Sequence, residues 1–298
     1  MRLANRVCLN PLFQEFLRER EKVVNFVTII KNVSLKVLTG VVICGMCPVF
    51  CGDVQADRTQ QEQEAARPDS DFSITIGGFG LYKPEYEGSD DYEFTGFPLL
   101  DLSWRNRIFL NARRGGGFYL WNTPDTKAGL SIGYAFGRDE DDSDDLRGLG
   151  DIDGGATGNA FFQWKAGDLS LETHYAHQFT GDTTGFQVHM GVGYGLRITR
   201  AFIVRTGVKT TFANSQYMEA YFGISPEQSN LSGLPVYDAD ASFKSAGLNI
   251  TAIYRLSRNL GFQTFAGYSR LIGNAADSPV VKNENQFRVG LGLSCSFF

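Results

Sequence analysis

An all-β, antiparallel, up-and-down barrel that crosses a membrane is the fold class this sequence predicts, and three observations predict it. Apolar residues alternate with polar residues or glycine: Phe186, Val188, Met190, Val192, Tyr194, Leu196 and Ile198 are interleaved with Gln187, His189, Gly191, Gly193, Gly195 and Arg197. Such runs reach roughly the 9–11 residues of a tilted membrane strand, whereas soluble strands average about 5–6. The links between runs alternate short and long, as in barrels with short turns on one side and long loops on the other. Composition agrees: 34 Gly against 9 Pro and 13% aromatic residues favour strands and exclude collagen, coiled coil and disorder. A net charge of −5 argues against a dedicated nucleic-acid binder.

The chain precedes this pattern with an apolar stretch, residues 37–51, broken by Thr39, Gly40, Gly45 and Pro48. It is shorter than the roughly 20 residues a spanning helix needs. Lys31 and Lys36 stand before it and Val54-Gln55-Ala56 after it, the layout of an export signal cleaved after Ala56. Its basic region is long, which points to a start downstream of Met1. A lipoprotein signal fits poorly, because Cys44, Cys47 and Cys51 follow Ile43, Met46 and Phe50. Removal of residues 1–56 leaves 21 basic against 29 acidic residues, a net of −8, and leaves Cys295 as the sole cysteine. An intramolecular disulfide is then impossible. The expected organisation is a cleaved segment 1–56, a polar tail 57–70 and a barrel 71–298.

Twelve strands are expected, at 72–82, 94–104, 106–113, 116–122, 127–137, 153–165, 168–179, 186–198, 202–212, 244–256, 260–271 and 284–297. If the chain enters from the periplasm, the short links at 105, 122–126, 166–167, 199–201 and 257–259 all fall on one side. The links 83–93, 138–152, 180–185, 213–243 and 272–283 fall on the other. The tight link 113–116 is the exception on the long side; were its two strands one element, ten would be the count. A soluble sandwich or lipocalin-like barrel would bury one face of each strand, but the run lengths and the large apolar residues favour lipid contact. Trp104, Trp121 and Trp164 each end a strand beside a short turn, the expected site of a periplasmic aromatic girdle. The final strand closes on aromatic Phe297 and Phe298, similar to an assembly signal of such barrels.

Catalytic signals are thin, and no catalytic, cofactor or metal site is assigned. Gly129-Leu130-Ser131-Ile132-Gly133 matches a nucleophile elbow, but it lies within an alternating run rather than at a strand-to-helix turn. His174 and His189 share the lumen parity on adjacent strands near Glu172, while His177 has the opposite parity; hydrogen-bonded lumen groups are the simpler reading. Asp139-Glu140-Asp141-Asp142-Ser143-Asp144-Asp145 offers oxygens for a hard cation, without the spacing of an EF-hand. By parity the lumen holds Arg107, Arg113, Lys165, Arg197, Arg205, Lys209, Arg255 and Arg288 against Asp101 and Glu172. A basic, partly open lumen would favour anions; internal pairing of the same residues would plug it.

Several motifs resemble the MipA/OmpV family of outer-membrane proteins when taken in order. They are Gly77-Gly78-Phe79-Gly80, Pro84-Glu85-Tyr86-Glu87-Gly88-Ser89, Gly137-Arg138 and Leu146-Arg147-Gly148-Leu149-Gly150-Asp151. Tyr221-Phe222-Gly223-Ile224-Ser225, Ser232-Gly233-Leu234-Pro235-Val236-Tyr237, Arg270-Leu271 and Asp277-Ser278-Pro279-Val280-Val281 follow. The resemblance implies a non-enzymatic barrel in the outer membrane of a Gram-negative bacterium, without cofactor. It implies lipid and lipopolysaccharide surroundings and a scaffold for murein synthesis, joining a lytic transglycosylase to a penicillin-binding protein. A narrow, anion-preferring porin is the alternative. The acidic 139–145 run is not part of the resemblance.

Overall fold

The computed structural model describes residues 71–297; the expected signal 1–56, tail 57–70 and Phe298 lie outside the described residues. Twelve strands follow one another: β1 (Phe72–Pro84), β2 (Tyr92–Trp104), β3 (Ile108–Asn111), β4 (Gly115–Asn122), β5 (Thr126–Ala135) and β6 (Gly155–Ala166). β7 (Leu169–Gln178), β8 (Phe186–Arg197), β9 (Phe202–Ala213), β10 (Ser242–Arg255), β11 (Leu260–Leu271) and β12 (Asn285–Phe297) complete them. Each pairs antiparallel with the next, and β1 pairs with β12 from Ile74 opposite Phe297 to Tyr82 opposite Val289, so the sheet closes without an edge. Closure satisfies every ladder from within, which lipid demands because it offers no hydrogen bonds. The expected twelve strands are the observed number, and the link near 113–116 is a hairpin pairing Ile108 with Phe118 and Asn111 with Gly115.

The alternation is turned inside out relative to a soluble protein. Ile76, Phe94, Leu130, Ile132, Val208, Leu248 and Leu291 are 41–73% exposed, whereas the intervening Thr75, Asn159, Gln163, Thr211 and Thr251 are 3–8% exposed. An apolar belt of that extent has no place in water and suits a bilayer. No described helix is long and apolar enough to span a membrane. The interior is packed with rings as well as polar groups. Phe109, Tyr119 and Phe161 form a trio with centroids 4.9–5.7 Å apart, and Phe79 lies 5.4 Å from Phe97. Two inward glycines of β12 make this possible. A Cβ on Gly290 or Gly292 would stand 2.6 or 2.5 Å from the Phe79 ring, closer than atoms approach. These glycines therefore seat a ring rather than widen a bore.

The two ends of the barrel differ. Tight turns close one end: Arg105 and Asn106 both take positive φ (50° and 53°) in the three-residue link between β2 and β3, a turn geometry that costs a non-glycine residue about 1–2 kcal/mol. Besides the tight hairpin at 112–114 and the seven-residue link 179–185, the other end carries the long links 85–91, 136–154, 214–241 and 272–284. The third of these folds into two short helices, α1 (Ser215–Phe222) and α2 (Pro226–Ser232), which the alternation did not predict. Asn214 caps α1 by accepting from the Tyr217 amide. Ser225 and Gln228 form a reciprocal box at the start of α2, and Gly233 (φ 76°) ends it.

Candidate functional site: the loop cap and the charged interior

The long links pack on one another and form a cap with its own apolar core. Met218 and Phe222 of α1 meet Ala213, Ala239, Leu271 and Ala275; Tyr86, Leu146, Leu149, Ile224 and Val280 form a second cluster, and Tyr237 packs against both. Hydrogen bonds tie the links pairwise. Tyr86 donates its hydroxyl to the Val280 carbonyl (3.0 Å), Ser278 to that of Phe222 (2.6 Å), and Tyr237 to that of Asn274 (2.8 Å). Gln228 Nε2 donates to the Leu149 carbonyl at 2.5 Å and Arg138 Nη1 to the Tyr221 carbonyl at 3.1 Å. Each of the four links thus closes against at least one other. The motifs Tyr86-Glu87-Gly88, Leu146 to Leu149, Phe222-Gly223-Ile224 and Ser278-Pro279-Val280 all contribute to this core.

Charges sit beneath and within the cap. Lys244, 5% exposed, places Nζ 2.6 Å from Glu87 Oε2 and 3.3 Å from the Tyr217 hydroxyl, with the Tyr217 ring centroid at 4.7 Å. Lys83, also buried, pairs with Glu93. Burial, with the Asp145 charge second, holds the Tyr86 phenol above its ordinary range, and burial does the same at Tyr221. Burial pulls the Arg138 guanidinium below its ordinary range. Periodicity did not single out Lys83, Lys244 or Arg138 because each lies where a strand passes into a loop.

The acidic run is built into the cap instead of standing free. The amides of Gly148 and Gly150 donate to Glu140 Oε2 (3.1 and 3.2 Å), and the Glu140 amide donates to Asp151 Oδ1 (2.8 Å). Asp139 and Asp142 form a capping box. Asp144 pairs with Arg147 at 2.7 Å, and Asp145 lies 3.6 Å from Lys282. Among the described residues no group of three or more His, Cys, Asp or Glu could hold a metal ion.

The eight basic residues expected in the lumen occupy three kinds of place. Lys165 and Arg205 are buried at 8% and 5% exposure, and Lys209, Arg255 and Arg288 are half-buried in their strands. Arg197 is exposed at the end of β8. Arg107 and Arg113 do not lie in a strand: β3 spans only Ile108–Asn111, so both are exposed in its flanking turns. The buried arginine of that region is Arg114, whose guanidinium lies 4.0 Å from the Phe161 ring centroid. Lys127, also missed, sits inward with Nζ 5.5 Å from the Tyr119 ring. Its parity with Gly129 and Ser131 was readable in the sequence. Arg113, Arg114 and Lys209 surround Glu172 electrostatically, and Arg114 and Lys127 surround Asp101.

His174 and His189 are direct cross-strand partners with rings stacked at 5.8 Å, and His189 Nδ1 lies 3.0 Å from Thr211 Oγ1. Glu172 faces Gln163 and Gly191 instead of either imidazole. The Gly129 to Gly133 pentapeptide lies within β5, so it lacks the turn that would expose a nucleophile. Trp121 and Trp164 are outward and exposed beside short turns, and Trp104 stacks on Phe72 at 6.2 Å. At the opposite end the outward pairs Tyr82–Tyr92, Tyr134–Phe136, Phe212–Phe243 and Tyr268–Phe287 lie 5.0–5.5 Å apart.

Comparison with known proteins follows the same residues. The family model described as "MltA-interacting protein MipA" matches residues 76–297. The MltA-interacting protein of Escherichia coli (strain K12) is 24% identical over 236 residues, covering 78% of this chain and 92% of that protein; its Shigella flexneri counterpart gives the same figures. Among solved structures, OprB of Pseudomonas putida covers 80% of this chain and 96% of its own at 10% identity, with a TM-score of 0.41.

Proposed function

The chain belongs to the MltA-interacting protein MipA family, and from that membership we propose that this outer-membrane barrel is a non-enzymatic scaffold for the murein-synthesis machinery. A lytic transglycosylase is the first partner, as the printed name of its relatives suggests, and a penicillin-binding protein the second. The observation that carries this reading is the apolar cap core, with Met218, Phe222, Leu146 and Ile224 fully buried. Links fastened this way, above an interior filled by Phe79, Phe109 and Phe161, favour a rigid platform over a wide passage.

The tail 57–70 is the proposed contact, since it is polar and the periplasmic turns offer little surface. In this reading the signal 1–56 is removed after Ala56, and Trp104, Trp121 and Trp164 mark the periplasmic interface, with the loop-side aromatic pairs marking the outer one. The test is capture of a purified lytic transglycosylase by the detergent-solubilised protein. Binding that is lost on deletion of 57–70 supports the proposal; no binding to the intact chain refutes the scaffold, and unchanged binding after the deletion removes the tail from it.

The cations on the inward face support a second reading, a narrow anion-preferring pore lined by Arg205, Lys209 and Arg255. Planar-bilayer recordings without conductance steps, or with cation preference, would rule it out.

A further inference from the structure

We propose that the loop cap carries a docking ridge for a cationic amphipathic segment, a peptide element with one apolar and one basic face. The ridge is the turn that follows α2. Gly233 reverses the chain in the left-handed region (φ 76°), the Ser229 hydroxyl donates to the Leu234 carbonyl at 2.6 Å, and the Ser232 hydroxyl accepts from the Leu234 amide at 3.2 Å. Held this way, Leu234 packs on the cluster of Tyr86, Leu146 and Ile224, while Leu231, Pro235 and Val236 stay outside it. Leu231 is 71% and Val236 51% exposed. Among the described residues, every other large apolar side chain so exposed lies in a strand or within one residue of a strand end, where lipid or its interface accounts for it. The ridge has no such account, and a contiguous apolar strip on a polar cap marks a contact surface.

Charge decides what covers the ridge. The five links of seven residues or more at this end, 85–91, 136–154, 179–185, 214–241 and 272–284, hold nineteen acidic residues against Arg138, Arg147 and Lys282, a net of −16, whereas the rest of 71–297 nets +10. At the strand ends Lys83, Lys244 and Arg270 pair with Glu93, Glu87 and Glu284, which leaves the balance strongly negative. The acidic 139–145 run adjoins the ridge: Gly148 (φ 80°) packs so closely on α2 that a Cβ there would stand 2.7 Å from the Leu231 carbonyl carbon. Glu227 and Asp238 flank the ridge and are exposed, and the Asp144 side chain is 90% exposed. An apolar strip inside a field of this sign repels a second copy of the cap and the phosphate-rich surface of lipopolysaccharide alike. It attracts a segment whose cations surround an apolar face. Leu231 and Val236 supply the apolar contact, and the surrounding carboxylates speed encounter and set orientation. The ridge lies at the opposite end of the barrel from the tail 57–70, so it adds a second surface to the one in the scaffold reading.

Fluorescence anisotropy of a labelled amphipathic helical peptide of leucine and lysine, titrated with the full chain in zwitterionic detergent and referenced to protein-free micelles, tests this. Saturable binding above the micelle background is expected. Leu231→Ser combined with Val236→Ser changes only exposed side chains, so the barrel should stay intact, verified by a heat-modifiable band on gels, while binding weakens about tenfold or more. Asp139→Asn combined with Asp141→Asn and Asp144→Asn should weaken binding a few-fold at low salt and hardly at all at about 1 M salt, where exposed charges are screened. The proposal is overturned if the peptide does not saturate, if the serine double variant binds as the wild type does, or if a peptide with glutamate in place of lysine binds equally well. Sedimentation that shows dimers of the wild type but not of the serine variant would assign the ridge to a second copy, and lipopolysaccharide binding that depends on Leu231 and Val236 would assign it to the membrane surface; either result also overturns the proposal. None of these probes is a murein enzyme, so failure here leaves the scaffold reading standing, and failed capture of the transglycosylase leaves the ridge standing.

Discussion

The two ends of the barrel are closed by different physics. At the short-turn end, each hairpin closes with two to four residues through a local bond, as between Thr123 and Thr126 or Ser257 and Leu260, and the longer bonds, such as Asn259 to the Ser296 carbonyl, join only neighbouring strands. At the loop end, closure depends on residues distant in sequence: Tyr86 reaches Val280, Arg138 reaches Tyr221, and Lys244 reaches Glu87. Local closure is insensitive to any single side chain. Long-range closure concentrates stability in a few buried groups, so the same kind of truncation should act very differently at the two ends.

The largest effect is expected for Phe222→Ala. This ring is fully buried in the cap, and such truncations cost about 3–5 kcal/mol. Hydrogen exchange should rise across 214–241 and 272–284 while the barrel strands stay protected. Trp121→Ala at the other end, 61% exposed toward lipid, should leave exchange of its hairpin nearly unchanged; equal effects at the two ends would erase the distinction.

Glu87→Ala should come second. It leaves Lys244 buried without its carboxylate; because Glu87 is partly exposed, about 2 kcal/mol is expected, below the range for a sealed pair. Exchange of the 85–91 link reads it, and Lys244→Met in the same background should restore part of the loss.

Alkaline pH sharpens the comparison without mutation. Tyr86 and Tyr221 have phenol pKa values raised by burial. In the unfolded chain they ionise near 10, so their contribution is complete below about pH 10 and declines as pH rises above it. Exchange in the cap should accelerate above pH 10 before exchange in the short turns does, and Tyr86→Phe should reduce that acceleration.

Asp144→Ala should do least. Its pair with Arg147 is exposed on both sides, and exposed pairs of this spacing contribute at most about 0.5 kcal/mol. Thermal unfolding of the cap should shift within error.

Legibility in the sequence follows the same division. Strand number, closure order and the outward faces were readable because lipid on one side and packed interior on the other impose a period of two on every spanning residue. The errors cluster where that period stops. Arg107 and Arg113 were placed in a strand that proved four residues long, and the buried Arg114 beside them was passed over. Lys83 and Lys244 carry no motif; their burial comes from Glu93 and Glu87 arriving on other segments. The α2 boundaries were written locally, in Ser225, Pro226, Gln228 and Gly233, yet a loop expectation concealed them. The acidic run read as a solvated outer loop with oxygens to spare for a cation, because its partners, the amides of Gly148 and Gly150 and the side chains of Arg147 and Lys282, do not announce themselves by composition.

The sequence alone determined the barrel, its strand count and its lipid-facing surface, because each of those depends on alternation within a single strand or on the length of a single link. Only the tertiary structure decided that four loops make one core, that inward glycines seat aromatic rings, and that buried Lys244 meets Glu87 from another link. Each of these joins residues that share no local pattern, and closure of the barrel sets the distance between them.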